Sequence, residues 1–144
     1  MIKIVKDTTL KRINYEDSRG TIGKQRIGGA IFKVDLDITH PLAYGYHDKE
    51  LPVYKNNSIF IKPSKNPFST VAKYTSNPHI DGFVTQENID NHITKSAAIV
   101  VSKIGKGRVI LFADNPNFRG AWYGTNKLFM NAVFFGSLIK VPYY

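Results

Sequence analysis

The sequence predicts an α/β fold, a sheet covered by helices, and three observations carry that expectation. Ala30 to Asp37 alternates Phe32, Val34 and Leu36 with Lys33, Asp35 and Asp37, the period-two pattern of a half-buried strand. Ala98-Ile99-Val100-Val101 and Val109-Ile110-Leu111-Phe112 are continuous apolar runs, suited to strands buried on both faces. Asn126 to Ile139 carries Leu128, Phe129, Ala132, Val133, Phe135 and Ile139 at helical spacing, a wide apolar stripe able to lie flat on such a sheet.

The other elements follow in order. Ile2, Ile4 and Val5 suggest a short strand, and the glycines at 20, 23, 28 and 29 suggest a loop after it. Residues 1–27 therefore read as an irregular N-terminal segment before an α/β core at 28–139, all within a single domain, 1–144. His40-Pro41 stops the first clear strand, because Pro41 lacks an N–H and biases His40 toward extended geometry. Leu51–Tyr54 and Ser58–Lys62 read as strands joined at Asn56-Asn57, and Phe68–Tyr74 as a further strand ending at Ser76-Asn77-Pro78. Val84–Ile93 reads as a helix capped by Thr85, with Ile89 and Ile93 on one face. Gly105-Lys106-Gly107 has the length of a hairpin loop, and Thr125 is placed to cap the last helix.

The 144 residues are 42% hydrophobic and include Trp122, nine Phe and eight Tyr, which suits a packed core and not a disordered chain. With no cysteine, disulfides, thiolate metal sites and cysteine nucleophiles are excluded together. The net charge of +9 comes from scattered lysines. Even the densest stretch, Lys3 to Arg26, is interrupted by Asp7, Glu16 and Asp17, so no nucleic-acid partner is expected. The longest apolar stretch, Leu128 to Ile139, falls short of the ~20 residues that span a bilayer, so the chain reads as soluble with no membrane span. Met1 to Asp7 is too charged for a signal-peptide core.

Gly29–Asp37, His40–Gly45, Gly105–Ala113, Asn115–Arg119 and Tyr123–Asn131, in this order, cover most of residues 28–139. Together they resemble the C-terminal, glutamine-amidotransferase-like domain that follows the catalytic domain of certain bacterial secreted zinc carboxypeptidases. The resemblance implies a flavodoxin-like, three-layer α/β sandwich, of which this chain holds only the later part. It implies the peptidase domain of the same parent protein as partner and a parent that is exported. A partial sandwich would also expose a sheet edge, and homo-oligomers form through such edges.

The residues that carry chemistry argue against catalysis. His47 and Glu50 match the His-x-x-Glu zinc pair of such peptidases, but catalytic zinc needs a third protein ligand and a base, and His79 and His92 lie too near in sequence to match it. No cofactor or metal is expected. Amidotransferase chemistry needs a cysteine nucleophile, and neither Ser18 nor Ser137 has a nucleophile-elbow context. Gly105-Lys106-Gly107-Arg108 lacks the Gly-Lys-Ser/Thr ending of a phosphate loop. His40 reads as a turn histidine bonded to backbone, with binding as the other reading, and Asp35 and Asp37 share one strand face.

The best candidate binding segment is Asp114 to Thr125, between a buried strand and a helix, where open α/β sheets hold ligands. It offers Asp114, Asn117, Arg119, Trp122 and Tyr123, an amphipathic set suited to sugar or peptide. The competing reading has Phe118 and Trp122 plugging the core while Arg119 pairs with Asp114. The expected function is a non-catalytic accessory domain of a zinc-carboxypeptidase-like protein. The alternative is a self-standing binding module for an anionic glycan or peptidoglycan-like polymer, and a third reading is a small enzyme using His40, Asp35 or Asp37.

Overall fold

The structure is a computed structural model and describes residues 12–142; the strand expected at Ile2–Val5 lies outside them. Five strands form one sheet: β1 (Ala30–Leu36), β2 (Glu50–Lys55), β3 (Thr70–Gly82), β4 (Ala97–Ile104) and β5 (Gly107–Phe112). Their spatial order is β2-β1-β3-β4-β5, and every neighbouring pair is antiparallel. The sheet curls into a half-barrel around a single core that runs from Ile27 to Ile139.

This overturns the flavodoxin-like sandwich. A parallel sheet needs a crossover from each strand to its parallel neighbour. Here β4 turns straight back into β5 at Gly105, whose φ of 57°, with no positive φ at Lys106, gives a type II′ hairpin. β4 is buried on both faces although its neighbours are antiparallel, and segment 61–69 bonds to it within the sheet: Ala97 N–H donates to Ile61 O (2.7 Å) and Val101 N–H to Ser69 O (2.8 Å). β5 is an edge strand, with Val109 and Leu111 turned to solvent and Ile110 and Phe112 half-buried.

β1 keeps the expected alternation, with Phe32, Val34 and Leu36 fully buried. Phe32 meets the ring of Tyr74 edge-on at 5.9 Å. β3 runs past the expected stop at Ser76-Asn77-Pro78, because register shifts around Phe32 make an irregularity there that tolerates a proline. Ser58–Lys62 is not a strand beyond one bridge, Ile61 to Ala97.

The described residues also include three α-helices. α1 (Ser18–Gln25) forms where glycines suggested a loop; tertiary bonds to its last turn hold it, with Asn88 Nδ2 (2.8 Å) and Thr85 Oγ1 (3.1 Å) both donating to Lys24 O. α2 (Gln86–Asn88) is capped by Thr85 as its sequence suggests, and widens into a π-helical turn at Ile89–Ile93. α3 (Tyr123–Phe135) starts earlier than expected. Thr125 is not its cap but sits buried in the first turn, donating to Pro116 O (2.8 Å). α3 packs against β2 and the short turn Pro41–Ala43, where Asn131 Nδ2 donates to the carbonyls of Leu42 (2.8 Å) and Tyr44 (2.9 Å). No helix among the described residues is long and apolar enough to cross a membrane.

Candidate functional site

The half-barrel closes at one end, where the chain leaving β5 returns to β2. Asn115 N–H donates to Tyr54 O (3.1 Å), and Asn57 Nδ2 donates to Ala113 O (3.0 Å). Asp114, between these two ties, is thereby aimed inward. Its Oδ1 accepts a 2.6 Å hydrogen bond from the Tyr74 hydroxyl and lies 3.5 Å from Lys55 Nζ.

Lys55 is fully buried, and its ammonium is surrounded by acceptors: Ile59 O (2.7 Å), Ala113 O (3.1 Å) and Asn57 Oδ1 (3.2 Å). The Phe60 ring lies 5.5 Å away. Carbonyl oxygens only accept, so they hold the protonated lysine, and the Tyr74 O–H holds the carboxylate form of Asp114. Burial still pushes the Lys55 ammonium down and the Asp114 carboxyl up, each countered in part by the other's charge. Burial and the facing carboxylate push the Tyr74 hydroxyl far up, so it stays a donor. Sequence reasoning missed Lys55, Tyr74 and Asn57. One signal was available: Leu51 and Val53 set the inward phase of β2, and Lys55 falls on it.

Beyond Asp114 the candidate segment turns over Tyr54. Phe118 stacks on Tyr54 with ring centroids 3.7 Å apart, and Trp122 lies tilted at 6.4 Å. Among the described residues, the buried side-chain polar atoms without a protein partner all belong to this segment: Asp114 Oδ2, Asn117 Oδ1 and Trp122 Nε1. Arg119 does not pair with Asp114. It is exposed, sits at a φ of 53°, and lays its guanidinium 5.2 Å from the Phe118 ring. Tyr123 is 78% exposed. The cavity beside Asp114 measures about 10 Å³, room for no more than about one water. Phe118 and Trp122 thus pack on the outward-facing ring of Tyr54 and do not plug the core, and a row of unmet hydrogen-bonding groups lies beside them.

The remaining candidates lie elsewhere. His40 caps the turn that packs on α3, its Nδ1 accepting from Leu42 N–H (3.2 Å), and burial lowers its pKa against the opposing pull of Asp37. Asp37 is occupied by Thr39, whose N–H (3.0 Å) and hydroxyl (2.6 Å) donate to Oδ1; Asp35 faces Lys73 at 3.9 Å. Glu50 pairs with Lys33 at 3.1 Å. Among the described residues no group of three or more His, Asp or Glu side chains is placed to hold a metal ion. Arg108 is structural: its Nε donates to Ile139 O (2.7 Å) and ties β5 to the chain after α3.

The outer face of α3 was not read as a site. Leu128 is 1% exposed on the inner side, but Val133 and Phe134 are 62% and 68% exposed, and Phe129, Met130 and Leu138 are exposed with them. The expected stripe is thus wider than the sheet covers. No family model, curated protein or solved structure matches the chain.

Proposed function

We propose that this chain is a non-catalytic accessory unit that docks through the outer face of α3 against a folded partner, a zinc-carboxypeptidase-like catalytic domain. The observation that carries the reading is α3 itself. A helix that is apolar around nearly its whole circumference is one that something buries, and the half-barrel covers only its inner side. Two of the segments that resemble the zinc-carboxypeptidase accessory domain, Gly105–Ala113 and Tyr123–Asn131, build β5 and most of α3. The groups best suited to acid–base chemistry, Lys55 and Tyr74, are sealed in the core, where they support structure. The parent of such a unit would be an exported protein.

The test mixes the purified chain with a purified bacterial zinc-carboxypeptidase catalytic domain and follows complex formation by light scattering and calorimetry. A one-to-one complex abolished by Val133→Glu and Phe134→Glu is expected. No complex, or peptidase or glutaminase activity in the chain alone, overturns the reading. A second reading, binding of an anionic glycan or peptidoglycan-like polymer, is favoured by the exposed Arg119, whose guanidinium lies on the Phe118 ring, next to the exposed Tyr123. Retention on such polymers at low salt, lost in Arg119→Ala, would support it; no retention where basic contacts are strongest would remove it.

A further inference from the structure

The two edges of the sheet differ. The β2 edge contains Pro52 and is closed at its end by the bond from Asn115 to Tyr54. The β5 edge is open among the described residues. It has no proline, and its pairing with β4 runs without a register shift from Gly107 to Phe112. Exposed edges are usually blunted by a proline, a bulge or charges; β5 has no proline or bulge, and its one charge, Arg108, sits beside the turn. The hairpin also fixes which groups are free. Ile104 and Gly107 flank its Gly105-Lys106 turn as a hydrogen-bonded pair, so the ladder alternates from there. The bond from Ala113 N–H to Ala98 O (2.8 Å) keeps the same alternation. The N–H and C=O groups of Arg108, Ile110 and Phe112 therefore point to the open edge.

Beside that edge runs a groove of about 550 Å³. One wall is the inner side of β5, with Ile110 and Phe112; the other is the flank of α3, with Phe129, Ala132 and Val133. Gly136 completes that flank, and Ile110 Cδ1 lies 3.6 Å from where a Cβ on it would sit, so helix and strand approach closely there. Lys106 and Arg108 line one end, and among the described residues no acidic side chain lines the groove.

We propose that the open edge of β5 accepts an extended strand from the partner, a segment of alternating apolar residues with an acidic end. The strand adds to the sheet antiparallel to β5, about 4.8 Å away. Its inward side chains fill the groove against Phe129 and Val133, and its acidic C-terminal end meets Lys106 and Arg108. The complementarity that selects this occupant is a basic end on an otherwise apolar groove. The inference deepens the docking reading by stating what the partner inserts.

The test uses the chain alone and a fluorescent peptide of Val-Thr repeats with two glutamates at its C-terminal end. Binding is expected by anisotropy. It should weaken at least tenfold for a peptide N-methylated on the residues that face β5, for one ending in lysines, and for Val133→Glu. Hydrogen exchange should slow at Arg108, Ile110 and Phe112 when the peptide binds. No binding, or equal binding of the N-methylated peptide, overturns the proposal. So do outward amides already protected in the chain alone, since the edge is then filled from within or by a second copy. Peptide binding without a complex with the peptidase domain keeps the strand site and rejects that partner. A complex that leaves these amides unprotected keeps the docking and rejects strand addition.

Discussion

Tyr74 donates a 2.6 Å hydrogen bond to the same Asp114 oxygen that faces Lys55, so one carboxylate oxygen serves both a neutral donor and a buried cation. Tyr74→Phe removes the donor and leaves the ring in place against Phe32. A loss of about 1.5–3 kcal/mol in unfolding free energy is expected, read from the urea midpoint with an unchanged slope.

Lys55→Met removes the cation and leaves the Asp114 carboxylate buried without a counter-charge. The expected cost is about 3–5 kcal/mol. Lys55→Met combined with Asp114→Asn should cost less than the sum of the two single changes, because neither charge is then stranded. Additive single and double effects in denaturant titrations would show that the two groups do not act as a pair.

His40 makes stability depend on pH. Its acceptor nitrogen must be unprotonated to receive Leu42 N–H, and burial lowers its pKa below the ordinary value of 6.5. The unfolded chain therefore takes up the proton first. The contribution is present above pH 6.5 and is lost as pH falls through the folded pKa. His40→Asn keeps an acceptor without the titration, so its melting temperature should fall less between pH 7 and pH 5, while the cost at pH 7 stays near about 1 kcal/mol.

Arg119 occupies the left-handed region with a side chain that glycine would not need. Arg119→Gly is expected to leave the melting temperature unchanged or to raise it by the equivalent of up to about 1 kcal/mol. A marked loss would mean that the guanidinium over Phe118 holds the segment down.

The two sides of α3 should respond oppositely. Leu128→Ala opens the core at a cost of about 2–5 kcal/mol, whereas Val133→Glu should stay within about 0.5 kcal/mol. Thermal denaturation of the two variants separates a core face from a docking face.

The sequence was most legible where a pattern is local. The alternation of β1, the cap at Thr85, the hairpin after Ile104 and the apolar stripe of α3 all follow from residues within a few positions of each other. Strand direction was not legible, because an apolar run such as Ala98–Val101 is the same in a parallel and in an antiparallel sheet. The partners of Asp114 come from β2 and β3, and no local spacing in the candidate segment announces them. Lys55 looked like another surface lysine until the inward phase of its strand was known.

The tie between Asn115 and Tyr54 also sets an order of assembly. The β4–β5 hairpin joins neighbours and can form within about 1–10 μs. The closing contact must wait until β1 and β3 have brought β2 around, since it links positions far apart in the chain. Lys55 and Asp114 stay hydrated until that moment. Their dehydration therefore falls at the end of folding, and variants that weaken the pair should speed unfolding far more than they slow folding.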